Sequence, residues 1–154
     1  MSTKIHLCIN DGRHLAEFIR LNEQWISEYF ELEQIDRELA ANPCRIVDAG
    51  GYIFSIVMGT DVIGVCALFR DSAECYQLAR MAVSREHRGN GYGDILLTAA
   101  LQKATEMGAR RIYLYSNTKL TPAISLYRKH GFGVLSEGQH PKYARCNIVM
   151  ERQF

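Results

Sequence analysis

A glycine-rich heptapeptide, RGNGYGD at residues 88–94, constrains this chain more than any other stretch. It follows an apolar run, LARMAV at residues 78–83, and precedes the amphipathic stretch ILLTAALQKATEMG. This order predicts a strand, a loop and a helix. The free N–H groups in the first turn of such a helix, together with the positive end of its dipole, can bind a phosphate. A glycine-rich turn can also merely connect a strand to a helix, so the loop alone leaves both interpretations open.

Composition narrows the class of protein. The 154 residues are 47% hydrophobic and 23% charged, which predicts a single domain over residues 1–154 with a substantial core. A net charge of +1 argues against general nucleic-acid binding, which needs a concentrated basic surface. No apolar run reaches membrane-spanning length, and the N-terminal segment MSTKIHLCINDGR lacks the apolar core of a signal peptide.

The five cysteines are scattered and include no C-x-x-C pair. An odd number in this arrangement favours reduced thiols in a cytoplasmic protein, and it predicts neither a disulfide framework nor a metal site.

Hydrophobic periodicity predicts an α/β fold. Asp11 is a suitable cap for a first helix that continues to Tyr29, and Thr121 followed by Pro122 opens the last helix. A strand, a helix and a further strand through the glycine loop imply a parallel crossover. The predicted strands cover residues 4–10, 52–58, 62–69, 78–83, 110–116, 132–137 and 143–151, and a second helix covers residues 31–41.

Three kinds of phosphate loop compete for the glycine stretch. The P-loop pattern G-x-x-x-x-G-K-[ST] is absent. The dinucleotide pattern G-x-G-x-x-G fails because Asp94 stands where its third glycine belongs, and the acidic residue expected about 20 positions further on is missing. What remains is R-x-x-G-x-G, formed by Arg88, Gly91 and Gly93 between a strand and a helix.

With this pattern the chain resembles the GNAT superfamily of acyl-CoA-dependent N-acetyltransferases. LARMAVSREHRGNGYGDILL is similar to that family's strand, pyrophosphate loop and helix, and NTKLTPAISLYRKHGF is similar to its later A-x-x-L-Y-x-x-x-G-F segment. The resemblance covers residues 51–150. It implies an α+β fold: a mixed, mostly antiparallel sheet of about seven strands with about four helices. Two adjacent parallel central strands splay apart to admit the cofactor.

The resemblance also implies acetyl-CoA as co-substrate, with its pyrophosphate on the backbone N–H groups of the glycine loop. The amide-rich pantetheine arm is expected to pair with the backbone of the preceding strand. Arg88 is either a donor on the phosphate side or a brace of the loop. The asparagine expected near the thioester stands further back than in the family pattern. The implied cofactor-binding residues are Met81, Ala82, Val83, Arg88, Gly89, Asn90, Gly91, Tyr92, Gly93, Asp94 and Asn117.

Tyr127 occupies the position of the family's general acid, since a phenol with a pKa of about 10 stays protonated at neutral pH and can protonate a leaving thiolate. A tyrosine of the core is the alternative. The usual glutamate base is replaced by Gln77, whose amide cannot accept a proton. Glu28, Glu31 and His140 are other candidates, beside a water relay or an amine that arrives neutral. Since no cysteine stands at a nucleophile position, direct transfer in a ternary complex is predicted.

The acceptor site is expected between the first two helices and the loop before the last strand. The polar entry to that strand, which includes Lys142, would suit a carboxylate on the acceptor, although a solvated hairpin explains it equally. Trp25 is also a candidate core residue. The predicted acceptor-side residues are Trp25, Tyr29, Gln77, His140, Tyr143 and Arg145.

Three functions therefore remain open on the sequence. The first is an N-acetyltransferase acting on the primary amine of a small molecule or peptide. The second is a non-catalytic acyl-CoA-binding module, which the replacement of the glutamate by Gln77 favours. The third is an interaction domain whose glycine loop is only a connection. The sequence leaves a homodimer open as the oligomeric state.

Overall fold

A computed structural model describes residues 4–154. Met1, Ser2 and Thr3, which open the segment considered for a signal peptide, lie outside the described residues. Short 3-10 turns at Gly12–His14 and Arg85–His87 precede two of the helices. The elements are β1 (Ile5–Ile9), α1 (Leu15–Tyr29), α2 (Gln34–Ala41), α3 (Arg45–Asp48), β2 (Tyr52–Met58), β3 (Asp61–Arg70), β4 (Cys75–Val83), α4 (Tyr92–Glu106), β5 (Arg111–Ser116), α5 (Thr121–Lys129), β6 (Gly133–Glu137) and β7 (Ile148–Gln153).

The seven strands form one sheet in the order β1-β2-β3-β4-β5-β7-β6. Only β4 and β5 pair in parallel, and every other neighbouring pair is antiparallel. The predicted mixed, mostly antiparallel seven-stranded sheet is confirmed. The parallel pair is joined through α4, because a parallel connection must cross from one end of the sheet to the other.

A core lies on each face of the sheet. On the α1 side, side chains of α1 and α2 pack against β2, β3 and β4, and on the α4 side, side chains of α4 pack against β2 to β5. The α1-side core includes Phe18, Leu21, Leu39, Ile53, Val65, Ala67 and Ala82. The α4-side core includes Phe54, Ile56, Cys66, Leu78, Leu96, Leu97, Ala100, Ile112 and Leu114.

Several predicted boundaries were wrong. The second helix begins at Gln34 and not at residue 31, because Glu33 and Asp36 form a capping box in which each side chain accepts the other's backbone N–H. The four-residue α3 was missed. Over residues 4–154 it brings the α-helices to five, where about four were expected.

The last strand begins at Ile148, five residues later than predicted. The N–H of Cys146 donates to the carbonyl of Tyr143 within a local turn, so this stretch cannot continue the ladder with β6. The Gln139 side chain donates to the Tyr143 and Ala144 carbonyls and closes the turn further. We call residues 138–147 the β6–β7 connection.

Candidate active site

The glycine loop connects β4 to α4 and leaves a row of backbone donors free. Gly89 and Gly91 have φ of 80° and 83°, a region that residues with a Cβ rarely adopt. The N–H of Ile95 donates to the Gly91 carbonyl at 3.2 Å, while among residues 4–154 no acceptor is bound to the backbone N–H groups of residues 89–94. The loop thus presents consecutive N–H groups at the positive end of α4, which is the arrangement that binds an anion.

Arg88 ties this loop to the end of α1. Its Nε donates to the Val83 carbonyl at 3.0 Å, and its two terminal nitrogens donate to the Glu28 carboxylate at 2.8 and 3.1 Å. The hydrogen bonds from Arg88 lower the pKa of Glu28, and Glu28 raises the pKa of Arg88 in turn. This geometry is that of a loop brace, and contact between Arg88 and a cofactor stays a prediction.

The side chain of Asp94 points to α5 and not to the loop. Its Oδ1 is 2.9 Å from Lys129 Nζ and 2.8 Å from His130 Nε2. Hydrogen bonds from Lys129 and then His130 lower its pKa. Only the backbone N–H of Asp94 is therefore available to an anion. Gly93 also packs closely against α5, since a Cβ at this position would be 3.1 Å from Leu126 Cδ2.

β4 and β5 separate beside the glycine loop. Their pairing is confined to Cys75–Gln77 of β4 with residues 111–113 of β5. Beyond Gln77, the backbone of β4 that faces β5 has no strand partner among the described residues. The Val83 carbonyl accepts a hydrogen bond from Arg88 Nε. Met81 is half-buried, whereas Ala82 is buried in the α1-side core opposite Val65.

Tyr127 lies on α5 against the α4-side core, the cluster that Met81 and Val83 also contact. Its ring centroid is 6.1 Å from that of Phe132. Burial raises the pKa of the phenol to about 12, with a smaller contribution from Cys66. Tyr127 is therefore a neutral hydrogen-bond donor at pH 7.

Asn117 follows β5 at the mouth of the gap, but its side chain has local partners. Its Nδ2 donates to the Arg145 carbonyl at 3.3 Å, and its Oδ1 accepts the Lys119 N–H at 3.1 Å. These bonds hold the loop before α5 against the β6–β7 connection. Its predicted contact near the thioester is untested.

The end of α1 spans the gap between β4 and β5. Glu28 holds the glycine loop, as described above, and the Tyr29 carbonyl accepts Lys119 Nζ at 2.7 Å from the other side. The Tyr29 side chain is 41% exposed. Trp25 is half-buried against the α1-side core, with its ring 5.2 Å from that of Tyr29. Trp25 thus contributes to the α1-side core, and Tyr29 lies at the edge of the gap between β4 and β5.

A buried carboxylate, Asp36, joins three parts of the acceptor region. It is 3% exposed. Asp36 accepts from Arg80 at 2.6 Å and from Arg145 at 2.5 and 2.9 Å, while Glu33 lies 3.0 Å from Arg145. Although burial alone would raise the pKa of Asp36, hydrogen bonds from Arg145, the Glu33 backbone and Arg80 lower it to about 2.

This network bears on the prediction that Arg145 would help to bind a carboxylate on the acceptor, a role that stays a prediction. Its guanidinium is already paired with two carboxylates of α2 and its cap. Arg80 sits at an irregularity of β4 with φ of 60°, a strained conformation for a residue with a side chain. The sequence did not indicate either Arg80 or Asp36, because the residues that meet are 44 and 109 positions apart.

Gln77 lies on the α1 side of the sheet, level with Phe69 on β3 and Tyr113 on β5. The Tyr113 hydroxyl donates to the Asp71 carboxylate. Burial and this carboxylate raise the pKa of Tyr113 above its ordinary value. Tyr113 and Asp71 were not singled out from the sequence. The alternation in RRIYLYS was the available signal, because it places two tyrosines on one face of β5.

The proposed bases occupy different places. Glu28 is held by Arg88 and Arg85, and Glu31 is exposed before α2. His140 Nδ1 accepts hydrogen bonds from the backbone N–H groups of Lys142 and Tyr143 at 3.0 and 3.3 Å, so this nitrogen stabilises the local turn.

One group among the described residues could hold a metal ion. The ligand atoms of Cys8, Asp11 and His14 lie within 4.8 Å of one another. The Asp11 carboxylate is already held by the backbone and guanidinium of Arg13. The group lies on and beside β1, which is three strands from β4 in the sheet, so it is separate from the gap between β4 and β5. No helix in the described part of the chain is long and apolar enough to cross a membrane.

The sequence matches the model of the acetyltransferase (GNAT) family over residues 15–132. A mycothiol acetyltransferase of Corynebacterium glutamicum (strain R) is 33% identical over 76 residues, which are 49% of this chain and 26% of that protein. The chain thus spans about a quarter of the length of this curated relative.

Solved structures share the fold. A GNAT acetyltransferase from Staphylococcus aureus Mu50 superposes with a TM-score of 0.85 at 20% identity, covering 97% of this chain and 99% of that one. The PaiA N-acetyltransferase from Thermoplasma acidophilum, in complex with coenzyme A, gives a TM-score of 0.76 at 18% identity, covering 98% and 99%. These likenesses confirm the predicted fold class.

Proposed function

This chain belongs to the acetyltransferase (GNAT) family, and we propose that it transfers the acetyl group of acetyl-CoA directly to a primary amine in a ternary complex. The observation that carries the proposal is the row of free N–H groups at residues 89–94, beside the gap between β4 and β5. The row suits a pyrophosphate, and the gap suits an extended arm rich in amides. The coenzyme A bound by the PaiA protein of the same fold supports this choice of donor.

In the proposed complex the pyrophosphate accepts hydrogen bonds from the glycine loop. The pantetheine arm pairs with the backbone of β4 at Met81 and Val83, as a further strand would, and it shares the Val83 carbonyl with Arg88. Asn117 lies near the thioester. Ala82 contributes less than its two neighbours, because its position opposite Val65 engages it with β3.

Transfer begins when the nitrogen lone pair of the neutral amine attacks the thioester carbon. A tetrahedral intermediate forms, its nitrogen gives up a proton to water, and the C–S bond breaks as the carbonyl re-forms. The sulfur leaves as a thiolate that the Tyr127 hydroxyl stabilises. Full proton transfer from a phenol of pKa about 12 to the thiolate of a thiol of pKa about 8.5 is uphill by roughly 5 kcal/mol. Tyr127 therefore acts chiefly as a hydrogen-bond donor while the C–S bond breaks, and the proton follows as the thiol is released.

The attacking amine must first lose a proton. Gln77 can orient the amine or a water molecule but cannot accept that proton. The nearby carboxylates Glu28 and Asp36 are both held by arginines, which favours their ionised, already bonded form. We therefore assign the proton to a water molecule beside Gln77, from which it passes to solvent.

Two measurements on the wild-type protein test this function. Acetyl-CoA near saturation should raise the melting temperature, since a ligand that binds the native state stabilises it. Free CoA thiol should then be released with some member of a panel of primary amines. Stabilisation without release across the panel would favour a non-catalytic acyl-CoA-binding module. No stabilisation at all would favour an interaction domain.

A further inference from the structure

Four aromatic side chains form a continuous surface beside the gap. Tyr113 and Tyr115 alternate along β5 with the buried Ile112 and Leu114, so they lie on the α1 side of the sheet. The Tyr115 ring is 5.5 Å from that of Tyr113, 5.1 Å from His140 and 5.2 Å from Tyr143. We call Tyr113, Tyr115, His140 and Tyr143 the aromatic wall. Its half-buried and exposed rings leave faces that a ligand can contact.

A carboxylate stands at one end of the aromatic wall. Asp71 is exposed just after the end of β3 and accepts a hydrogen bond from the Tyr113 hydroxyl. No Lys, Arg or His of the described chain forms an ion pair with Asp71. The wall therefore combines electron-rich ring faces with a negative charge, and both attract a cation.

Two neighbouring arginines already have partners, and a neighbouring lysine is exposed to solvent. Arg111 is 2.6 Å from Glu151, and its guanidinium lies 5.0 Å from the Tyr113 ring centroid. Arg145 is held by Asp36 and Glu33. Lys142 is exposed on the β6–β7 connection, where water and salt screen its charge. The position of Arg111 also shows that this ring accepts a cation at its face.

We propose that Asp71 and the aromatic wall form a subsite for a second, positively charged group of the acceptor, so that the preferred acceptor is a diamine or polyamine. This inference rests on the proposed acetyl transfer and names its substrate class. It differs from the carboxylated acceptor that the sequence suggested. Of the residues on which that expectation depended, Arg145 is already paired with Asp36 and Glu33.

The spacing within the sheet suits such an acceptor. The reacting amine belongs near Gln77, at the last position where β4 and β5 pair. The Asp71 N–H donates to the Cys75 carbonyl at 3.0 Å, so Asp71 is level with a residue two positions from Gln77. Two residues of strand cover about 7 Å. A short aliphatic diamine spans a distance of this order between its nitrogens.

The test compares three amines with the same four-carbon chain: putrescine, butylamine and gamma-aminobutyrate. With wild-type protein and acetyl-CoA, kcat/KM for putrescine should exceed that for butylamine by about tenfold or more, and gamma-aminobutyrate should be the poorest acceptor. In Asp71→Asn the ratio of putrescine to butylamine should fall to nearly one. Asp61→Asn, the same change at the exposed opposite end of β3, should keep the wild-type ratio.

Tyr143→Ala provides a second variant in an exposed turn, and it should lower the same ratio about threefold. Equal use of butylamine and putrescine, or a preference for gamma-aminobutyrate, would overturn the subsite while leaving acetyl transfer intact. Acetyl-CoA that neither stabilises the protein nor releases thiol with any of the three amines would overturn the proposed function itself.

Discussion

The two sides of the proposed cleft are built in different ways. The cofactor side consists of β4, the glycine loop, α4 and α5, and it presents backbone groups of consecutive residues. The acceptor side consists of the end of α1, α2, the open face of β5 and the β6–β7 connection, and it is held by side chains distant in the sequence. Asp36 pairs with residues 44 and 109 positions away, whereas the free donors of the glycine loop are six neighbours.

Because of this difference, the two sides should tolerate side-chain substitutions differently. A backbone site depends on local conformation, so its recognition of a phosphate survives most changes of side chain. A network of buried charges depends on each partner, because removing one leaves the others uncompensated. Mutations of the buried charges on the acceptor side should therefore affect folding, and mutations near the cofactor should affect binding or turnover.

Asp36→Asn should produce the largest effect. Two arginines would then face a neutral amide, and breaking a buried ion pair costs about 3–5 kcal/mol. Urea denaturation at pH 7 measures this loss in the free energy of unfolding. Asp48→Asn, at the end of α3, is the exposed control and should change stability by about 0.5 kcal/mol or less.

The same carboxylate predicts a dependence of stability on pH. The pKa of Asp36 is about 2 in the folded protein, below the ordinary value of about 3.9 in the unfolded chain. Its contribution is therefore complete above about pH 4 and is lost as the pH falls from about 4 to about 2. The difference in the free energy of unfolding between wild type and Asp36→Asn should become smaller as the pH falls over that interval. A difference independent of pH would show that the carboxylate charge is not what stabilises the network.

Tyr127→Phe sharpens the comparison on the cofactor side, where we expect an effect on turnover and little on binding. Loss of a donor to the leaving thiolate should lower kcat about a hundredfold. The dissociation constant of acetyl-CoA should change by about threefold or less. Tyr52→Phe, another half-buried tyrosine against the same core, is the control. Unchanged turnover in Tyr127→Phe would make Tyr127 a residue of the core alone.

Arg88 and Glu28 give the smallest expected effect and separate two roles of the arginine. If Arg88 turns to the pyrophosphate, Arg88→Gln should raise the dissociation constant of acetyl-CoA about tenfold. Glu28→Gln should then raise it about threefold or less, because the arginine remains. Isothermal titration calorimetry measures both dissociation constants. Equal weakening by the two variants would show that Arg88 is only a brace between the loop and α1.

Much of the cofactor side could be predicted from the sequence. The glycine loop and α4, which ends near Gly108, stand where local signals placed them, and α5 begins at Thr121, one residue before the predicted first helical position at Pro122. Such signals act over a few residues: a glycine permits positive φ, and proline fits the first turn of a helix. β4 began three residues earlier than predicted, because its first residues pair with strands on both sides.

The acceptor side was predicted only in outline. Trp25, Tyr29, Gln77, His140 and Tyr143 lie around the gap, but their roles as acceptor contacts stay predictions. The start of the last strand was wrong because the turn at residues 138–147 is closed by side chains. Asp71 was missed, since nothing in DSAE distinguishes it from the acidic residues of other exposed turns.

The sequence by itself determined the fold class and the place of the glycine loop, because periodicity and glycine spacing act through local backbone conformation. Only the tertiary structure decided the charge of the acceptor side. It pairs Arg145 with Asp36 and leaves Asp71 beside the tyrosines. The net charge around a site depends on which side chains meet across the fold, and pairing over a hundred residues leaves no local pattern to read.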